Sequence, residues 1–151
     1  MHCFTVSLFG HRFIEDLRRL DSQLVPWVKG LMQAKEHVAF LVGRNGEFDE
    51  YAASVIKRLQ REVGAGKHEL VLILPYAVSD LEYYDVYYDS VIIPESLCGA
   101  HPKAAIALKN RWMVEHSDLV IVYAERERGG AYTALKYAEK LKKKTVNLCE
   151  M

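Results

Sequence analysis

The sequence has few cysteines and no net charge, and each fact excludes a class of protein. The cysteines, Cys3, Cys98 and Cys149, are odd in number and follow no metal-ligand spacing, which argues against a secreted fold held by disulfides. Lysine plus arginine and aspartate plus glutamate number 20 each, so the chain lacks the overall basic charge typical of nucleic-acid-binding proteins. We therefore expect a cytoplasmic protein for which nucleic acid is a disfavoured partner.

The sequence also lacks a membrane segment and several catalytic motifs. Residues 1–6 contain no basic stretch of the signal-peptide type, and no apolar run is long enough to cross a bilayer. No P-loop occurs, and serine, histidine and aspartate do not follow the pattern of a nucleophile elbow. We therefore expect no membrane partner, no metal ion and no resident cofactor.

Short apolar runs alternate with amphipathic segments along the whole chain. The runs are continuous, as expected of parallel strands buried on both faces, and occupy residues 5–9, 38–42, 70–74, 90–93, 119–123 and 145–148. Apolar residues recur at helical spacing in residues 13–34, 48–63, 102–116 and 132–141. Pro26 predicts a kink or restart in the first of these helices. The alternation predicts one α/β domain over residues 1–151, Rossmann-like, with three layers and a mainly parallel sheet.

Glycine-containing turns follow three of the predicted strands, at residues 10–12, 42–46 and 128–130. Ligands of such sheets bind beyond the carboxyl ends of the strands, and backbone N–H groups at a helix start attract anions. The turns therefore predict one nucleotide-type pocket. In it, Arg12 would clamp a phosphate and His11 would be a second donor.

Acidic side chains after the second turn have two interpretations. Glu47, Asp49 and Glu50 fall in the first turn of the predicted helix, where carboxylates complement the helix dipole. This capping role is the better explanation of Asp49, although a carboxylate there could also hold a ribose hydroxyl. Farther along the chain, Arg111 and Glu115 are four residues apart and could simply pair on a helix surface.

Tyrosines concentrate in the one irregular stretch, residues 76–88, with acidic residues between them. Tyrosine side chains fill interfaces or stack on bases at low entropic cost. The simpler interpretation is a patch that covers the sheet edge or forms a homodimer contact. The alternative is a lid that stacks on the base of a ligand.

Taken in order, these segments resemble the SLOG superfamily, which joins the DNA-processing Smf/DprA proteins to the Lonely Guy enzymes. The resemblance covers nearly the whole chain, is greatest to small bacterial members of unknown function, and is carried by residues 10–12, 42–49, 110–113, 117–123, 129–131 and 145–148. It implies a modified Rossmann fold that binds or senses a nucleotide or nucleotide-derived ligand, of the NAD or ADP-ribose type. With the turns, it gives the predicted ligand-binding residues Gly10, His11, Arg12, Gly43, Arg44, Gly46, Glu47, Arg111, Gly129, Gly130 and Thr133.

The Lonely Guy branch hydrolyses the N-glycosidic bond of nucleoside monophosphates with a Pro-Gly-Gly-x-Gly-Thr-x-x-Glu loop. Residues 128–136 match that loop at its first two glycines and at Thr133. Tyr132 replaces the third glycine, and Lys136 replaces the glutamate. An ammonium at this position inverts the charge that would stabilise an oxocarbenium-like transition state. The sequence therefore predicts ligand binding rather than catalysis.

The alternative function is an N-glycosidic hydrolase or transferase acting on nucleoside monophosphates. Relatives of that type carry an arginine a few residues before a methionine, and here Lys109 stands four residues before Met113, with Arg111 as a displaced candidate. Glu47 or Asp49 would have to supply the missing carboxylate. A DNA-binding role by analogy with Smf/DprA is disfavoured by the zero net charge.

Overall fold

The computed structural model describes residues 3–64 and 67–150, and within them six strands form one all-parallel sheet. The strands are β1 (Phe4–Gly10), β2 (His37–Val42), β3 (Lys67–Ile73), β4 (Ser90–Ile92), β5 (Leu119–Tyr123) and β6 (Lys144–Asn147). They lie in the order β4-β3-β2-β1-β5-β6. All six predicted strands are present, and β3 begins earlier than predicted because its polar first residues pair with β2, Lys67 opposite His37.

Helices cover both faces of this sheet. They are α1 (Leu17–Ala34), α2 (Glu47–Val63), α3 (Leu81–Tyr87), α4 (Pro102–Glu115) and α5 (Gly130–Lys140), with short 3₁₀ turns at Glu95–Leu97 and Leu148–Glu150. Helices α1 and α2 pack on one face and α4 and α5 on the other. The predicted Rossmann-like three-layer α/β fold is therefore confirmed. None of the described helices is long and apolar enough to cross a membrane.

Two helices, α1 and α3, differ from the sequence prediction. Helix α1 begins at Leu17 rather than residue 13, because the Asp16 side chain caps it by accepting a hydrogen bond from Arg19 N at 3.0 Å. Pro26 lies inside α1, which continues through it to Ala34. Helix α3 occupies part of the tyrosine-rich stretch that carried no helix prediction.

Alternate residues of the central strands enter two separate cores. Val6 and Leu8 of β1 pack with α1 and α2, whereas Phe9 packs with α4 and α5. In β5, Val120 and Val122 face the core beneath α4 and α5, and the other three residues face the core beneath α1 and α2. Since successive strand side chains point to opposite faces, a sheet covered on both faces favours apolar residues at consecutive positions. This is the physical reason for the continuous apolar runs.

The order in which successive strands join the sheet reverses at β1. Strands β2, β3 and β4 extend the sheet on one side of β1, and β5 and β6 extend it on the other. The last paired residues of β1 and β5 are Gly10 and Tyr123. Crossover segments leave in opposite directions from this point, so a crevice opens beyond the ends of the two strands.

Gly10 allows Phe48 of α2 to pack directly on the end of β1, since a Cβ at position 10 would overlap the Phe48 ring. Gly10→Ala is therefore expected to lower the free energy of unfolding by about 1–3 kcal/mol, the usual cost of overpacking. Urea denaturation measures this change.

Gly30→Ala is the matched control, because Gly30 lies inside α1 with nothing within 4 Å of an added Cβ. It is expected to raise stability by about 0.5–1 kcal/mol through helix propensity. Equal effects of the two substitutions would contradict this packing.

Candidate functional site

A cleft of about 440 Å³ lies beyond the carboxyl ends of β1, β2 and β5. Its size is within the range of small-molecule sites. The loop after each strand contributes to it, and one face of α4 closes it. Its lining residues are Phe9, Gly10, His11, Arg12, Gly43, Asn45, Asp49, Ile106, Lys109, Asn110, Arg126, Arg128, Gly129, Gly130 and Ala131.

The three glycine-containing turns therefore meet at one place. Of the predicted ligand-binding residues, the cleft lining includes Gly10, His11, Arg12, Gly43, Gly129 and Gly130, and of the candidate catalytic residues it includes Asp49. Their convergence follows from the reversal beside β1, which brings the ends of β1, β2 and β5 together. That they bind a ligand stays a prediction.

Two predicted site residues, Gly46 and Glu47, instead join two loops outside the cleft lining. A Cβ at Gly46 would lie 2.5 Å from the Cα of Arg12, so the two loops are in close contact. Glu47 N donates to Arg12 O at 2.8 Å, and Glu47 Oε1 accepts from Ile14 N at 3.2 Å. Glu47 therefore fixes the loop that carries Arg12, and as a catalytic or ligand-binding residue it remains a prediction only.

The other three predicted residues outside the lining also have contacts elsewhere. Arg44 Nη1 donates to Tyr84 Oη at 3.1 Å, and the Arg111 guanidinium lies 5.2 Å from the centre of the Tyr137 ring. Thr133 Oγ1 donates to Gly129 O at 2.9 Å within the first turn of α5. A ligand-binding role for these side chains, and a catalytic one for Arg111, likewise remains a prediction.

The start of α5 is the most open anion-binding feature of the cleft. Gly129 precedes it with a φ of 92°, in the left-handed region that favours glycine. No side chain of the described residues caps this helix start, and Gly129 and Gly130 line the cleft. Arg126 and Arg128 lie in the same loop and line the same space. This end of the cleft is suited to a phosphate group.

His11 is buried in the cleft lining and connects two loops, and its role as a second donor to a phosphate stays a prediction. Its Nε2 accepts a hydrogen bond from Glu125 N at 2.7 Å, which ties the loop after β1 to the loop after β5. Burial, and secondarily Arg126, lower the pKa of His11, while Glu125 acts in the opposite direction. Because an accepting Nε2 cannot donate, only Nδ1 is left as a donor for a ligand.

The most buried charge in the cleft is Lys109 of α4, whose exposed fraction is 2%. Its Nζ occupies the space where a Gly43 Cβ would lie, and Asp49 Oδ2 is 3.2 Å from the same position. Asp49 Oδ2 also accepts from Asn45 N at 2.8 Å. Gly43 thus makes room for a lysine and a carboxylate to approach each other beside the end of β2.

Burial disfavours the charged forms of both members of this pair. It raises the pKa of Asp49, against the opposing effects of the Lys109 ammonium and the Asn45 N–H. It lowers the pKa of Lys109, against the opposing effect of the Asp49 carboxylate. The charge on each side chain therefore only partly offsets the effect of burial on the other.

Lys109 and Asn110 were not among the predicted site residues, although one signal for Lys109 was present. Ala105, Lys109 and Met113 are spaced by four and form the buried face of α4, so a lysine stands in an otherwise apolar stripe. Buried lysines of this kind are rare without a partner. Asn110 Oδ1 is also buried and accepts no hydrogen bond from residues 3–64 or 67–150. Among the described residues, no group of three or more His, Cys, Asp or Glu side chains is placed to hold a metal ion.

Two solved structures of DNA processing protein A are similar to this chain. The protein from Streptococcus pneumoniae matches with a TM-score of 0.68 and 15% identity, over 95% of this chain and 49% of its own length. The protein from Helicobacter pylori, whose structure is described by its unique single-stranded DNA binding mode, matches with a TM-score of 0.64 and 12% identity, over 94% and 63%. The resemblance to the Smf/DprA group is confirmed at the level of the fold.

Other comparisons add nothing to this result, since no protein-family model matches the chain and no curated protein sequence matches it. The chain spans less than two thirds of the length of either DNA processing protein. The similarity therefore concerns one part of those proteins.

The expectation that nucleic acid is a disfavoured partner is wrong. A protein with this fold, that of Helicobacter pylori, binds single-stranded DNA. The expectation rested on the net charge of the whole chain, whereas binding depends on where the charges lie. Here four cations, Arg12, Lys109, Arg126 and Arg128, line one cleft together with a single carboxylate, Asp49.

The Lys109 and Asp49 pair predicts an unusual pattern of stability. Lys109→Met leaves the Asp49 carboxylate buried without its cation, so this variant is expected to be about 1–3 kcal/mol less stable at pH 7 than the double variant Lys109→Met/Asp49→Asn. When the pKa of a carboxyl group is raised in the folded state, the free energy of unfolding decreases as pH rises above the unfolded pKa of that group. The stability deficit of the single variant relative to the double variant should therefore be smaller near pH 4 than at pH 7.

Urea midpoints at both pH values measure this difference, with the double variant as the control. The double variant carries neither charge, so this site should give it no such loss between the two pH values. Identical pH dependence in the single and double variants would show that burial does not raise the pKa of Asp49 when Lys109 is absent.

Proposed function

We propose that the cleft binds a small phosphate-bearing ligand of the nucleotide type, NAD or ADP-ribose included. The observation that carries the proposal is the convergence of three glycine-containing turns on one space lined by four cations. Glycine backbones allow close approach of a phosphate, and cations at the same place supply charge-assisted hydrogen bonds.

The phosphate is assigned to the start of α5. This helix has 11 residues and no side-chain cap, so its dipole and open N–H groups favour an anion. Arg128 precedes Gly129 in the chain, and Arg12 reaches the same cleft from the loop after β1. Both side chains are exposed, so they can adjust to the phosphate when it arrives.

The rest of the ligand lies along apolar parts of the cleft. Phe9, Ile106 and Ala131 contribute to the lining beside the polar groups. Mixed linings of this type suit molecules that have one charged end and one flat apolar ring. A nucleotide has both features, whereas inorganic phosphate would leave the apolar lining unused.

Single-stranded DNA is the second candidate ligand. It is supported by the fold shared with the DNA processing protein of Helicobacter pylori, which is described by its single-stranded DNA binding mode. The four cations that favour a mononucleotide phosphate would equally favour a phosphodiester chain. A strand longer than the cleft would have to continue over its rim.

The hydrolase alternative has one observation in its favour. Asp49 lines the cleft and could supply a carboxylate, whereas Glu47 does not line it. Lys136, at the position where hydrolytic relatives carry glutamate, is paired with Glu139 at 3.2 Å outside the cleft lining. Binding without turnover therefore remains the better-supported function.

A panel of AMP, NAD, ADP-ribose and cyclic adenine nucleotides tests the proposal by thermal unfolding. At a hundred times its dissociation constant, a ligand adds about 2.7 kcal/mol to folding stability. At least one compound is therefore expected to raise the melting temperature by roughly 5–10 °C. Arg12→Ala should reduce this shift, because it removes a charge-assisted contact of about 1.5–3 kcal/mol.

Lys143→Ala is the matched control, because Lys143 donates to Glu115 O and lies outside the cleft lining. Equal losses in the two variants would indicate nonspecific attraction of anions. A strong, salt-sensitive shift with a deoxyoligonucleotide of about 12 nucleotides and none with mononucleotides would favour single-stranded DNA. Release of free adenine during incubation with AMP would instead support the hydrolase function.

A further inference from the structure

The buried pair of Lys109 and Asp49 is incomplete in a way that points to a ligand group. Among residues 3–64 and 67–150, no atom accepts a hydrogen bond from Lys109 Nζ within 3.5 Å, and no carboxylate forms an ion pair with it within 4.0 Å. Asp49 uses Oδ2 for Asn45 N, and its Oδ1 accepts from no described residue. A donor and an acceptor are therefore both left unused on the wall of the cleft.

A phosphate is a poor occupant for this position. The Asp49 carboxylate would repel it, and the uncapped start of α5 with Arg126 and Arg128 offers a better place in the same cleft. An apolar group would leave both charged atoms without hydrogen bonds. A hydroxyl group fits, because it donates one hydrogen bond and accepts others.

We propose that Lys109 and Asp49 together bind a hydroxyl of the ligand's sugar, with Lys109 Nζ donating to it and Asp49 Oδ1 accepting from it. This inference rests on the proposed function, because it requires a phosphate-bearing nucleotide in the cleft. The phosphate at α5 and the hydroxyl at the buried pair then fix the two ends of the ribose phosphate. Gly43 makes this possible, since any side chain there would occupy the space of Lys109 Nζ.

The pair also gives the site a preference for ribonucleotides. A nucleotide without the contacted hydroxyl would leave Lys109 Nζ and Asp49 Oδ1 without this partner, which is a strong basis for discrimination between ligands. A hydrogen bond to a charged group corresponds to a change in affinity of roughly 10-fold to 100-fold. The cleft should therefore bind at least one deoxy analogue much more weakly than the parent nucleotide.

Calorimetric titration with AMP, 2′-deoxy-AMP and 3′-deoxy-AMP tests this directly. The wild type is expected to bind AMP at least about 10-fold more tightly than one of the two deoxy analogues. Lys109→Met should bind AMP and that analogue with nearly equal affinity, because the donor is gone. Asp49→Asn should also lose most of the preference while keeping an acceptor for Asn45 N, so it serves if Lys109→Met fails to fold. Lys143→Ala should keep the full preference.

The outcomes separate this inference from the proposed function. Equal affinity of the wild type for all three compounds would overturn the hydroxyl contact and leave phosphate binding intact. If both Lys109→Met and Asp49→Asn kept the full preference for AMP over the deoxy analogue, another group would be shown to contact the sugar hydroxyl. Absence of AMP binding would also overturn the inference, whereas the proposed function fails only if no phosphate compound stabilises the protein.

Discussion

The structure depends on the burial of one parallel sheet between two helical layers. Burial on both faces requires helical crossovers between strands, and the crossovers place every strand's carboxyl end at one edge of the sheet. Because the chain builds outward from β1 in two directions, the loops after β1, β2 and β5 become neighbours there. Turns separated by more than 100 residues, at Gly10 and Gly129, thus line the same cleft. The position of the site is a consequence of the sheet topology.

Within that cleft, the arrangement of charge is more informative than its total. The whole chain is neutral, yet the cleft lining contains four cations and one carboxylate. Two of these groups, Lys109 and Asp49, are buried where both charged states are disfavoured. A core that served stability alone would replace them with apolar residues of similar size. Their presence beside Gly43 supports the proposal that a ligand completes their hydrogen bonds.

The sequence predicted the fold well because the signals for it are local. Continuous apolar runs identified all six strands, and the turns at Gly10, Gly43 and Gly129 identified the edge where the cleft lies. The side chains that α4 contributes were harder to predict, since whether Lys109 faces the cleft or the core depends on how α4 packs. The acceptor role of His11 Nε2 also depends on a residue 114 positions away, Glu125. Such long-range contacts are not encoded in local spacing, whereas the apolar stripe containing Lys109 is.

Backbone amide NMR spectra recorded during titration with AMP test the central claim most directly. If the phosphate binds at the start of α5 and the sugar binds beside β2, the largest changes in amide chemical shift should occur at Gly43, Gly129 and Gly130. The amide of Gly30, in the middle of α1 and outside the cleft lining, should stay unchanged. Shifts concentrated instead in the tyrosines of α3, with Gly129 and Gly130 unaffected, would contradict the account.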